Sequence, residues 1–85
     1  MSIYADQNIV LSMLYQRGEK SGNCMRTFTR KQAENVVEKY NLRENRNAVT
    51  VTEITKASTD RWGVDSMMED GRFLLYQRMP DGSRA

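Results

Sequence analysis

No histidine occurs anywhere in the 85 residues, and cysteine, proline and tryptophan occur once each. Without imidazole the chain lacks the commonest general base, the histidine of nucleophilic triads and the usual partner of cysteine in zinc sites. A single thiol, Cys24, has no intramolecular bridge to make, so nothing asks for an oxidising compartment. No apolar run is long enough to cross a bilayer, and the N-terminus has no signal-peptide pattern. These absences set the expectation of a cytoplasmic, non-enzymatic protein with no cofactor, no metal and no membrane contact. Cys24 itself is read as a small buried hydrophobe without a role.

Two further patterns are missing. Gly18, Gly22, Gly63, Gly71 and Gly82 are scattered, and none forms the glycine-rich strand-to-helix loop that cradles phosphate. The one acidic cluster is Asp60, Asp65, Glu69 and Asp70. On a strand Asp65 and Glu69 would share a side yet stand about 13 Å apart, so solvated strand ends and turn chemistry account for them better than a Mg²⁺ site.

What is present is a folding composition, 39% hydrophobic and 28% charged, in a chain short enough for one core and little enclosed volume. The formal charge is only +2, but nine of the thirteen basic residues are arginine. Arginine's planar fork recognises carboxylates and phosphates in pairs and stacks on rings, which points to an acidic partner.

The clearest element starts at "FTRKQAENVVEKYN". Thr29 and Gln32 have the spacing of a capping box, with Phe28 placed to staple against Ala33. Ala33, Val36, Val37 and Tyr40 then make one apolar stripe, and Asn41 is expected to stop the helix in a left-handed conformation. In "AVTVTEITKAS", 48 to 57, the β-branched residues predict a strand with a change of facing near Glu53. "STD", 58 to 60, is expected to turn the chain back.

"RWGVDSMMEDGRFLLYQRM", 61 to 79, alternates on either side of Asp70-Gly71 and predicts a hairpin with a two-residue turn. That turn would set Glu69 opposite Arg72, Met67 opposite Leu74, Asp65 opposite Tyr76 and Val64 opposite Gln77. Trp62, Val64, Met68, Phe73, Leu75 and Met79 would face the helix, and Asp65, Met67, Glu69, Arg72, Leu74, Tyr76 and Arg78 would face away. "NIVLSMLYQR", 8 to 17, admits two periods: it alternates as a strand, yet Val10, Met13, Leu14 and Arg17 also fit a helix.

The strand is preferred for that segment, with a helix at 4 to 17 as its rival. "GEKSGN" then leads as a hairpin loop into the run from Cys24 to Phe28. The predicted architecture is α+β: a small antiparallel sheet of four to five strands in β-β-α-β-β-β order, with one helix packed on one face. Residues 1 to 79 form the single domain, and 80 to 85, with Pro80, form a flexible tail.

The expected partner-binding site is the sheet's open face, with Arg72, Leu74, Tyr76, Arg78 and Met67 making an apolar and aromatic centre flanked by guanidinium groups. Arg26, Arg30, Lys31, Arg43 and Arg46 could make a secondary basic patch around the helix ends, diluted by Glu34, Glu38 and Glu44. The same face could also be no more than a solubilising cross-strand ladder.

No family motif stands out. In size, in its lack of catalytic residues and in its helix-on-sheet layout the chain resembles, in format alone, the small accessory proteins of phages and mobile elements, some anti-CRISPR proteins among them. That likeness implies a domain that occupies the acidic surface of a larger protein or nucleoprotein machine, as inhibitor or adaptor. The alternatives are a nucleic-acid-binding regulator using the same Arg and Tyr residues, and a self-associating structural protein pairing as a homodimer through the strand at 48 to 57.

Overall fold

The computed structural model describes residues 3–22 and 24–81. Helix α1 spans Ala5–Arg17, strands β1 and β2 are Glu19–Lys20 and Met25–Thr29, and helices α2 and α3 are Arg30–Glu44 and Val51–Thr55. Strands β3 (Trp62–Val64) and β4 (Arg72–Gln77) complete one antiparallel sheet in the order β1-β2-β4-β3. The fold is α+β, in two layers.

The N-terminal segment takes the rival reading, a helix. Val10, Leu11 and Leu14 are fully buried along one side of it, an arrangement that strand alternation would have divided between two faces. Gly18 ends α1, its N–H donating to the Leu14 carbonyl at 2.8 Å.

α2 begins as its sequence signals. The Thr29 hydroxyl accepts the Gln32 N–H at 3.1 Å, and the Gln32 side chain accepts the Thr29 N–H at 2.8 Å. It runs past Asn41, however, and stops at Asn45, which takes the left-handed conformation with φ 55°. The Asn41 side chain instead folds the following loop back, accepting from the Ala48 and Val49 N–H groups and donating to the Val49 carbonyl.

The predicted strand at 48 to 57 is not formed; α3 replaces it. Thr50 and Glu53 make a second reciprocal capping box at 3.1 Å each way. The β-branched residues are used in a helical turn that presses Val51 and Ile54, three residues apart, toward the core. With that strand gone the sheet has four strands, and the chain order is α-β-β-α-α-β-β.

The C-terminal hairpin forms with a different register. Trp62 pairs with Gln77, Gly63 with Tyr76 and Val64 with Leu75. Of the Asp70-Gly71 pair only Gly71 has a positive φ, 84°, and the Gly71 and Met68 N–H groups close the turn on Met68 and Arg72 carbonyls. This is a three-residue loop with a glycine bulge, not a two-residue turn. A second extra residue lies between Asp65, bonded to Leu74, and Met68, bonded to Arg72. Two one-residue offsets restore the original facing, so Trp62, Phe73 and Leu75 are buried as expected, while Met68 and Met79 are exposed.

All three helices contribute to one core with the inner face of the sheet, where Phe28 and Phe73 stack at 5.3 Å and Tyr15 meets Trp62 at 5.0 Å. Cys24 is exposed in the β1–β2 turn at φ 56°, which corrects its expected burial. Of the expected tail, Pro80 and Asp81 stand in a turn; residues 82–85 lie outside the described residues.

Candidate binding surface

Strand β4 is the central element of the outer face. Its burial alternates, with Phe73 and Leu75 buried and Arg72, Leu74 and Tyr76 half-exposed on the side away from the helices. Thr29, Thr27 and Met25 of β2 stand opposite Arg72, Leu74 and Tyr76 in turn. On the other flank Tyr76 neighbours Gly63, and a Cβ there would collide with the phenol ring. Glycine at this position lets Tyr76 lie across β3.

The two arginines of the face differ in how much charge they leave free. Arg72 stands 3.5 Å from Glu19 and donates to the Thr27 hydroxyl at 3.5 Å. Arg78 reaches across to the Ser58 hydroxyl at 3.0 Å and makes no ion pair with a carboxylate among the described residues. The face is therefore most cationic at the Arg78 end.

Met67 is not with them. The extra residue before Met68 turns it out of the ladder, and it stands 61% exposed in an opening beside Val64, Phe73, Arg30 and Lys56. Arg72, Leu74, Tyr76 and Arg78 are brought together as expected; Met67 belongs to the opposite layer.

The secondary basic residues do not make one patch. Arg26 faces the core side, its guanidinium 4.9 Å above the Tyr15 ring. Arg30 and Lys31 start α2 and Arg43 and Arg46 follow at its far end, about 22 Å away at 1.5 Å per residue. Arg43 covers Tyr40 at 5.2 Å and stands 3.7 Å from Glu44.

Arg46 is structural. It donates to both oxygens of Asp6, at 2.9 and 3.1 Å, and the buried Tyr40 hydroxyl donates to the same carboxylate at 2.7 Å. Hydrogen bonds from Arg46 and then Tyr40 hold Asp6 below the usual carboxylate range. Burial, and then Asp6, push the Tyr40 phenol up to about 12. This cluster fixes the start of α1 to the end of α2.

Sequence reasoning missed a second surface, which exists only because α1 is a helix. A cleft of about 470 Å³ runs between α1 and the end of the sheet. Ile9 and Met13 form one wall and Trp62 a second apolar surface, with Arg61 and Arg78 also lining it. Asn8, also lining it, donates to Asp60 at 3.0 Å and accepts from the buried Thr59 hydroxyl at 2.6 Å. The spacing of Ile9, Ser12 and Met13 was the available signal, legible once that segment is read with a helical period.

Fold and surfaces together define a two-layer α+β domain with one arginine-flanked sheet face that no helix among the described residues covers. No family model, curated protein or solved structure matches the chain. No helix among the described residues is long and apolar enough to cross a membrane.

Proposed function

We propose that this protein is a non-catalytic binding domain that lays the open face of its sheet on an acidic surface of a larger protein or nucleoprotein assembly, acting as inhibitor or adaptor. The observation that carries this reading is the half-exposed cluster of Leu74 and Tyr76 between Arg72 and Arg78, on the side of the sheet away from the helices. An aromatic anchor with guanidinium groups at its margin is the composition that supplies most of the energy at protein interfaces.

One observation favours a second reading. Tyr76 lying across Gly63 offers a ring on which a nucleic-acid base could stack, with phosphates seated on Arg72 and Arg78. Against it, dedicated RNA-binding sheets carry two or three such rings, and Glu19 on this face offsets part of the charge of Arg72.

The strand at 48 to 57, the seam expected for self-association, is not formed, and residues 51–55 are helix α3. The sheet's edges are also short: β1 has two residues, and residues 57–59 cover β3, with Ser58 bridged to Gly63.

The test is affinity capture from a cell lysate by the wild type and by the variant combining Arg72→Ala, Tyr76→Ala and Arg78→Ala, each with and without nuclease. The expected result is a stoichiometric protein that survives nuclease and is lost with the variant, whose cooperative unfolding is retained. Capture undiminished by the variant would sink the surface assignment. Material recovered only without nuclease would move the assignment to nucleic acid.

A further inference from the structure

The arginines of this chain are unevenly neutralised. Among the described residues Arg46 is paired with Asp6, Arg43 with Glu44 and Arg72 with Glu19, whereas Arg17, Arg26 and Arg30 make no ion pair with a carboxylate, and nor do Arg61 and Arg78. Both line the cleft between α1 and the sheet end, so two arginines without an ion-pair partner among the described residues border one opening.

The remaining surface of that opening is apolar where it counts. Ile9, 45% exposed, is one of the larger hydrophobic side chains left in solvent, and it stands with Met13 on the α1 wall beside Trp62. Ser12 and Gln77 add a hydroxyl and an amide. The volume, about 470 Å³, falls within the roughly 300 to 1,000 Å³ of ligand-binding clefts, room for one apolar side chain and the groups flanking it. Asn8 adds no free amide, since its oxygen and nitrogen are engaged by Thr59 and Asp60.

From this charge complementarity we infer that the cleft binds an acidic peptide segment of a protein partner, seating an apolar side chain against Ile9, Met13 and Trp62 and its flanking carboxylates on Arg61 and Arg78. Arg78 belongs to the cleft and to the open sheet face alike, so the two surfaces are continuous. The nature of the partner rests on the function proposed above, while the cleft is a separate site with its own readout. Planar carboxylate recognition by guanidinium forks gives the site its preference for acidic over basic segments.

Trp62 is the only tryptophan, so its emission reports on the cleft directly. The probe is a short synthetic peptide of Glu and Asp around one central Leu, labelled for anisotropy and free of tryptophan. Saturable binding is expected with a matching change in Trp62 emission. Arg61→Glu and, separately, Ile9→Asp should each weaken it by about tenfold or more, roughly 1.4 kcal/mol. Lys39→Glu, an equal charge change on the exposed side of α2, should leave it unchanged. Arg61 is exposed, so its variant keeps the test intact should Ile9→Asp unfold.

An anisotropy rise with Trp62 silent, or an affinity indifferent to Arg61→Glu, would overturn the cleft site and leave the sheet-face reading standing. So would the absence of any peptide binding, because capture on the sheet face is scored separately by Arg72→Ala with Tyr76→Ala, neither of which lines the cleft. Oligothymidylate binding as tightly as the peptide, with the same emission change, would overturn the peptide assignment in favour of a generic anion site.

Discussion

Trp62 joins the two layers: it is 9% exposed, sits 5.0 Å from Tyr15, and Tyr15 in turn carries the Arg26 guanidinium. Trp62→Ala should cost about 3 to 5 kcal/mol, the range for a large aromatic removed from a core, read from the midpoint of urea unfolding. A loss below about 1 kcal/mol would show that the indole is not a core group. Its inward facing was legible from alternation alone, because two offsets in the hairpin cancelled. The Asp6, Tyr40 and Arg46 cluster was not legible, since its members lie 34 and 40 residues apart and no local pattern pairs them.

That cluster makes stability depend on pH at both ends of the scale. Asp6 is held below its ordinary 3.8, so its contribution is complete above the unfolded value and is lost as the pH falls through the lower folded one. Tyr40, raised to about 12 from 10.0, contributes fully below the unfolded value and loses that contribution as the pH rises through the folded one. Asp6→Asn should therefore flatten the acid limb of a stability profile. Tyr40→Phe should delete a phenolate absorbance step at about pH 12 from an alkaline titration; persistence of that step would reassign it to another tyrosine.

Among the elements, the two capping boxes are instructive. "TRKQ" at 29 to 32 was readable, and "TVTE" at 50 to 53 has the same spacing, but its three β-branched residues favour an extended chain. The side-chain bonds of Thr50 and Glu53, with Ile54 driven into the core, prevail over that preference. Thr50→Ala should cost about 0.5 to 2 kcal/mol, and hydrogen exchange should show α3 opening ahead of α2. Equal protection in the variant would mean that Ile54 burial alone holds the turn. α1 was ambiguous for a different reason: its polar and apolar residues satisfy two periods at once, and only the sheet beneath it decides which face is buried.

At the scale of the molecule, the layer arrangement and the uncovered face followed from the amphipathic helix and the alternating hairpin, both local signals. The cleft did not, because it needs α1 placed against residues 61–62 and 77–78, a meeting that depends on tertiary docking. The strand order carries a consequence for folding. β4, late in chain order, lies between β2 and β3 and stacks Phe73 on Phe28, while one anchor of α1 is the turn at Thr59 and Asp60. The sheet beneath the helices is therefore closed by pairings between segments far apart in sequence, and those pairings set its folding rate.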